Sequence, residues 1–493
     1  MATMHLEEIK PIVDFILQWY WVPLLVLYVG VISAILIENR NPTKTVAWIL
    51  VIIFLPILGL ILYYFFGQKF VKVKKIKRIN KKLALRLEKK WKELDPLMES
   101  FIQDIHEEIG GLSKVFRLMK TERLSSPTLD NEVQLLINGE EKFKYLLEDL
   151  AAARHSIHME YYIFELGTIG RQVLNLLNRK AEEGVKVRLI VDSFGSPDLV
   201  KYMCKQKDSK IEFHAFLPVT FTSLANSNYR NHRKICVIDG MIGYVGGINI
   251  SDRYINSAEK KNYWRDTSVR VRGLAINLLQ ISFWNSWNQT DGESFNLEEG
   301  YLHLKGLETK GTAGVGFVSS DPASLGPYNM EALLIAIGEA NSKIQLCTPY
   351  YIPSEELERA LIIAASSGVQ VELMVPKHSD SYLVHHASYS FLKPLLERGV
   401  KVYLYNKGFL HAKTAVFDDK LAFVGTVNLD IRSFYINYEI AAVISDPDFA
   451  KQASRQFELD KQHAELMTLK TWKSRPAWKR ALDSLCRLLA PLL

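Results

Sequence analysis

Two stretches of the chain follow one pattern, and that duplication limits the possible folds more than any other feature. Asn231–Asn249 reads NHRKICVIDGMIGYVGGIN and Leu410–Asn428 reads LHAKTAVFDDKLAFVGTVN. Both fit H-x-K-x4-D-x6-G-(G/S/T)-x-N. The first supplies His232, Lys234, Asp239, Gly246, Gly247 and Asn249; the second, 179 residues later, supplies His411, Lys413, Asp418, Gly425 and Asn428. At ordinary residue frequencies one match is expected about once per ten million positions. GVKVRLIV (Gly184–Val191) and GVQVELMV (Gly368–Val375) repeat at an offset of 184. Each follows a helical run, RQVLNLLNRKAEE or EELERALIIAASS, and an earlier apolar run, SIHMEYYIF or KIQLCTPYYI. So long an offset excludes a solenoid and requires two tandem copies of one domain. Strand, helix, strand predicts βαβ units, an α/β fold and a mostly parallel sheet. Each motif reads as a hairpin, turning at Asp239-Gly240 and at Asp419-Lys420. The predicted domains are 115–300 and 301–469.

The 493 residues leave room for more than these two domains, and the mean hydropathy of zero has a local cause. Phe15–Ile37 and Thr45–Gly67 each run 23 residues without a charge. At 1.5 Å per residue either is long enough for a hydrocarbon core of about 30 Å. The acidic leader and the second apolar run exclude a signal peptide. The expectation is a two-helix transmembrane hairpin in residues 1–68, with spans at about 15–37 and 45–67. The link Glu38–Lys44 holds two basic residues, whereas Lys69–Lys82 holds eight in fourteen with no acid. The positive-inside rule then puts both termini and the bulk of the chain on the cytoplasmic side of the cell membrane. Residues 69–114 read as a basic juxtamembrane connector. The four cysteines are scattered, and Cys236 and Cys347 fit buried, reduced thiols.

A lone histidine near a lysine is ordinary surface chemistry; the doubled pattern reads as a phosphoryl site. A phosphodiester requires a nucleophile, an acid for the leaving alcohol and cations for its non-bridging oxygens. Two imidazoles, one per repeat, suit the first two roles. Lys234 and Lys413 add charge, Asn249 and Asn428 amide donors, and Gly246, Gly247 and Gly425 room beside a phosphate. No acidic cluster or His/Cys set has metal-ligand spacing, so neither metal nor cofactor is expected. Each histidine needs an orienting carboxylate, and Asp266 in YWRDTSV and Glu439 in INYEIAAV are the candidates. Asp239 and Asp418 suit a turn or ion pair as well as catalysis.

HRKICVID…GGIN and HAKTAVFD…GTVN resemble the paired HKD motifs of the phospholipase D superfamily, and Gly425-Thr426 in place of Gly246-Gly247 is a change that pattern accommodates. Together with NRNPTKTVAWILVIIFLPILGLILYYFFG and the terminal PLL, the whole chain is similar to the bacterial cardiolipin synthases of the phospholipase D type. The resemblance implies two phospholipase D-like domains packed about a pseudo-two-fold axis, with both motifs in one metal-free cleft. It implies phosphatidyl transfer between two phosphatidylglycerol molecules, giving cardiolipin and glycerol through a phosphatidyl-histidine. His232 would be the nucleophile and His411 the acid, then the base. A phospholipase D-type hydrolase, or a transferase with another acceptor alcohol, would use the same motifs.

The amphipathic tail, 470–493, suggests a lipid partner independently. Ser474 can cap and Pro476 open a helix whose Trp478, Leu482, Leu485 and Leu489 form one stripe. Such a helix suits an anionic membrane surface, or docking on the protein itself. His385 and His386 read as helix or cleft-wall residues, and Tyr161, Tyr162, Tyr350 and Tyr351 most simply as strand core, with lining of the cleft as the alternative. The net charge of +7 gathers beside the apolar spans, and nothing resembles a nucleic-acid-binding module.

Overall fold

The computed structural model describes residues 18–19, 21–37, 42–64, 71–122, 127–217, 229–256, 263–291 and 311–490. Its strands come from the alternating apolar runs of both repeats. In the first repeat they are β1 (Thr128–Ile137), β2 (Ser156–Tyr161), β3 (Lys186–Asp192), β4 (Glu212–Phe216), β5 (Lys234–Ile238), β6 (Ile242–Gly246) and β7 (Thr267–Arg272). In the second they are β8 (Ala313–Ser320), β9 (Lys343–Cys347), β10 (Gln370–Pro376), β11 (Lys401–Tyr405), β12 (Thr414–Phe417), β13 (Leu421–Gly425) and β14 (Glu439–Ser445), followed by β15 (Ala464–Met467).

All fifteen join one sheet. From its centre outward the first repeat runs β1, β7, β6, β5, β2, β3, β4 and the second runs β8, β14, β13, β12, β9, β10, β11, with β15 added at that edge. Each strand thus has its counterpart in the mirrored position, and β1 meets β8 with Thr128 opposite Val315. That order is the pseudo-two-fold arrangement of tandem α/β domains.

The sheet is mixed, not mostly parallel. Within this sheet four of the described pairs are parallel, two in each βαβαβ arm. Ten are antiparallel, because the motif hairpins and the strands that close each repeat fold back on themselves. The crossover helix Thr168–Glu182 buries Val173 and Leu177 against Ile157 and Leu189. Its counterpart Glu355–Ser366 begins at Ser354, whose Oγ accepts from Leu357 N at 3.3 Å, and buries Leu357 and Leu361 against Ile344 and Leu373. Each such side chain contributes roughly 1.5–3 kcal/mol when fully buried. A third core, with Val245, Val269, Val424 and Ile440, spans the two repeats beneath helices Ile276–Asp291 and Pro447–Lys461.

Both hairpins turn on two consecutive left-handed residues, Asp239 and Gly240 (φ 52° and 64°) and Asp418 and Asp419 (φ 53° and 54°). The second turn therefore sits one residue earlier than expected. Aspartate tolerates this region better than most residues that have a side chain.

Residues 71–220 and 229–493 form one compact unit, and the apolar N-terminal helices belong to another. The latter are Trp21–Ile37, Pro42–Phe54 and Pro56–Leu62. No described helix is long and apolar enough to cross a membrane. The first has 17 residues, about 26 Å. The second expected span is broken at Leu55, because Pro56 has no N–H to continue the ladder and starts a new helix. The outer ends of both expected spans, in 1–17 and 65–70, lie outside the described residues.

The expected connector is largely one helix, Val71–Ile109, which ends before the left-handed Gly110 (φ 63°). It is more than a tether: Ile102, Ile105 and Ile109 are buried in the core of the second repeat. The tail forms helices Leu469–Lys473 and Ala477–Leu488; Ser474 ends the first rather than capping the second. The tail is docked on the protein. Trp472 Nε1 donates to Tyr389 O at 3.2 Å, and Asp483 is buried against His386. The expected stripe divides, with Leu482 packed inward while Trp478 and Leu485 stay exposed.

Candidate active site

His232 lies two residues before β5 and His411 three before β12, and both line one cavity of about 380 Å³. The backbone of each is pinned by the opposite repeat. His232 N donates to Tyr438 O at 3.0 Å, and His411 N to Arg265 O at 2.7 Å. Around the second contact Gly408–Leu410 pairs in parallel with Tyr263–Arg265.

The orienting carboxylates cross over in the same way. Both Glu439 oxygens lie 3.0 Å from His232 Nδ1, and Asp266 Oδ2 lies 2.6 Å from His411 Nδ1. Asp266 and Glu439 thus each contact a motif histidine, that of the other repeat. Burial opposes ionisation of both carboxyls, yet His411 and Lys413 hold Asp266 below its ordinary value, and His232 and Lys234 do the same for Glu439. Burial pushes the imidazoles the other way. His411 falls to about 3, with Lys413 pushing further and Asp266 pulling back, and His232 is also lowered, with Glu439 opposing. Both imidazoles are therefore neutral at neutral pH. Nδ1–H donates to the carboxylate, which leaves the Nε2 lone pair for chemistry.

Neither lysine is among the residues lining this cavity. Lys234 Nζ donates to His232 O at 2.6 Å, and Lys413 Nζ to His411 O at 2.5 Å. Burial lowers both ammonium groups, that of Lys413 to about 8 and that of Lys234 well below the usual lysine value. The cations on the wall are Arg230, Arg253 and Arg432. The latter two were legible, since each stands four residues after its motif asparagine, in NISDR and NLDIR, 179 apart.

Asn249 and Asn428 reach the wall. Asn249 accepts from Ile163 N at 3.1 Å and donates to the Tyr254 hydroxyl at 2.9 Å, so its amide already serves the protein. The Tyr254 hydroxyl in turn lies 3.4 Å from His411 Nδ1. The glycines make room for protein rather than phosphate. A Cβ at Gly247 would collide with the Asp266 carboxylate, and one at Gly246 or Gly425 would strike the neighbouring strand at Ser268 or Ala441. Thr426, the counterpart of Gly247, donates from Oγ1 to Glu439 Oε2 at 2.5 Å.

The motif aspartates are not brought to the cavity. Asp239 closes the far end of β5, about 17 Å along the strand from Lys234 at 3.3–3.4 Å per residue, and accepts from the backbone N–H of Arg154, His155 and Ser156 at 2.7–2.9 Å. Asp418 does the same for Asn341, Ser342 and Lys343 at 2.8–2.9 Å. These are clamps on the starts of β2 and β9. Their carboxyl groups are committed to the backbone, so the turn reading displaces the catalytic one.

Tyr162 and Tyr350 line the cavity, whereas Tyr161 and Tyr351 are core. His386 pairs with Asp483 away from it. Among the described residues no group of three or more His, Cys, Asp or Glu side chains is placed to hold a metal ion.

Known proteins resemble the chain over most of its length. A family model described as cardiolipin synthase, PLD-like domain, matches residues 146–267 and again 333–461, and one described as phospholipase D-nuclease N-terminal matches 24–68. A cardiolipin synthase of Alkalihalophilus pseudofirmus is 37% identical over 470 residues, 95% of this chain and 92% of its own. The major cardiolipin synthase of Bacillus subtilis is 35% identical over 461 residues, covering 92% of this chain and 95% of its own. Among solved structures, the phosphatidylserine synthase of Haemophilus influenzae superposes with a TM-score of 0.58 at 15% identity, over 77% of this chain and 100% of that one, a likeness of fold. With the match falling once on each repeat and relatives alike over nearly the whole length, the chain belongs to the cardiolipin synthase family with phospholipase D-like domains.

Proposed function

We propose that this chain joins two phosphatidylglycerol molecules into cardiolipin and glycerol, and that the two histidines carry the transfer without metal. One observation carries the reading: two imidazoles on one cavity, each with Nδ1 held by a carboxylate and Nε2 left for chemistry. His232 Nε2 attacks the phosphorus of the first lipid. The bond from phosphorus to the glycerol oxygen breaks, and that oxygen takes a proton from His411 Nε2. The proton on His411 arrives with the substrate, since a phosphate anion beside an imidazole favours its charged form. Glycerol leaves and a second phosphatidylglycerol enters. His411 takes the proton of its terminal hydroxyl, the alkoxide oxygen attacks phosphorus, and the P–N bond to His232 breaks to release cardiolipin.

The arginines on the wall, with Lys234 and Lys413 behind the histidines, meet the charge on the non-bridging oxygens. Transfer prevails over hydrolysis where the cavity faces lipid and keeps water scarce. The two uncharged N-terminal runs anchor the chain in the cell membrane, with the repeats on the cytoplasmic side as the basic residues after the second run dictate. The tail meets the anionic membrane surface.

The test is product analysis. Purified protein with phosphatidylglycerol in mixed micelles and EDTA forms cardiolipin and glycerol in equal amounts, and His232→Ala forms neither. Phosphatidic acid without cardiolipin makes the chain a hydrolase.

A further inference from the structure

A second cavity, also about 380 Å³, lies under the docked tail, at the other end of a helix that borders the first. Helix Tyr382–Ser390 has Val384 and its capping residue Ser381 on the wall of the histidine cavity and Ser390 on the wall of this one. Four cations line the second cavity: Lys393, Lys473, Arg480 and Arg487. Its one carboxylate, Asp483, is spent, with Oδ1 at 2.7 Å from His386 Nδ1 and Oδ2 accepting from Arg475 Nη2 at 2.5 Å. Arg480 Nε is buried without a hydrogen-bond partner. The Arg487 guanidinium stacks over the Phe391 ring at 4.5 Å, which fixes its plane. Lys393 makes an exposed contact to Glu397 at 3.6 Å.

Among the described residues the lining carboxylate is spent, and the acids that answer these cations, Glu397 at Lys393 and Glu358 toward Arg487, are not in the lining. The gathered cations therefore select an anion with several acceptor oxygens. The helix that supplies Arg480 and Arg487 also leaves Trp478, Leu485 and Leu488 exposed at 63%, 62% and 76%. Those three share the outward face of the helix, spaced seven and three apart. A basic cavity beside an unpartnered apolar row matches a phosphate headgroup attached to acyl chains.

We propose that this cavity binds the headgroup phosphate of an anionic phospholipid that is not being turned over, with Trp478, Leu485 and Leu488 entering its acyl layer. The bound lipid seats helix Tyr382–Ser390, and hence one wall of the histidine cavity, at the membrane surface. The proposal rests on the transfer reading only in placing the chain at lipid.

The test uses full-length protein in mild detergent and dioleoyl phosphatidic acid, which has neither a leaving alcohol nor an acceptor hydroxyl. Retained lipid is counted by native mass spectrometry. Lys473→Ala/Arg480→Ala loses one equivalent, with at least tenfold weaker retention, and still turns over water-soluble short-chain phosphatidylglycerol within twofold of wild type. Lys479→Ala, on the same helix but outside the cavity, retains the lipid, as does Arg480→Lys, which keeps the charge and guards against a folding defect in the double variant. Equal retention in the double variant overturns the site. Equal loss in Lys479→Ala reduces it to diffuse surface charge, and displacement by equimolar inorganic phosphate makes it a free-anion site; either overturns the lipid assignment. If wild type turns over no lipid at all, the transfer reading fails while the retention count still decides this cavity.

Discussion

Glu439 follows His232 by 207 residues and belongs to the other repeat, yet both its carboxylate oxygens lie 3.0 Å from that imidazole's Nδ1. Asp266 and His411 form the reciprocal pair at 2.6 Å. Each motif histidine is therefore paired with a carboxylate of the other domain. Glu439→Gln and Asp266→Asn, which keep shape but lose charge, should each lower the transfer rate on the order of 10²–10⁴-fold, the range set by loss of an orienting carboxylate behind a catalytic histidine. Histidine NMR checks the pairing. Because Glu439 raises the His232 pKa against burial, Glu439→Gln should move it lower still. Movement of His411 in place of His232 would contradict the crossed arrangement.

The hairpin aspartates should behave as structural groups. Asp418→Ala removes an acceptor of three backbone N–H groups at a left-handed position and should cost about 1–3 kcal/mol. Asp239→Asn, which tolerates that backbone, should cost less. Both should keep near-normal specific activity in the folded fraction, read by thermal melting alongside product formation. A dead but fully stable Asp418→Ala would restore the catalytic reading.

Acid should destabilise the fold through His158. It is fully buried, with Nδ1 at 2.9 Å from Gln280 Oε1, and Nε2 accepts from Arg188 Nη1 at 3.2 Å. Burial pushes it down to about 3, from an unfolded value near 6.5. The unfolded chain thus takes up the proton first. Stability is full above about 6.5 and falls with pH toward 3, by at most about 1.4 kcal/mol per pH unit for this group. Replacing His158 with Gln should flatten the dependence of unfolding free energy between pH 6.5 and 4.5 by about one proton. An unchanged slope would remove His158 as its source.

The tail should be released by removing Asp483. It is 1% exposed and joins His386 to Arg475, and taking one partner from such a buried pair costs roughly 3–5 kcal/mol. Asp483→Ala should open residues beyond Thr468 to limited proteolysis while the two repeats stay folded. Equal protease resistance would place the docking energy in Trp472 and Cys486 instead.

Much of the site was legible because the chain states it twice. The offset of 179 exposed both histidines and both lysines, and the search for orienting carboxylates reached Asp266 and Glu439. What spacing alone could not reveal is which repeat each carboxylate serves. That is decided by tertiary pairings such as Tyr263–Arg265 on Gly408–Leu410, made across the whole chain. The motif glycines were misread for a related reason: a small residue signals close approach, and only the packed strands show that the Asp266 carboxylate is what approaches Gly247. The parallel βαβ arms followed from their periodicity. The antiparallel closure by β7 and β14 did not, because a buried strand reads alike in either direction. Arg253 and Arg432 stood in register and were overlooked beside the stronger motif.

If His232 and His411 divide one transfer between them, a covalent phosphatidyl-histidine forms during turnover and can be trapped. Turnover of labelled phosphatidylglycerol is quenched in milliseconds, and the peptides are mapped for a phosphatidyl adduct. The adduct should lie on the peptide carrying His232, present in wild type and absent from His232→Ala. An adduct on His411, or none at all while cardiolipin still forms in quantity, would contradict that division.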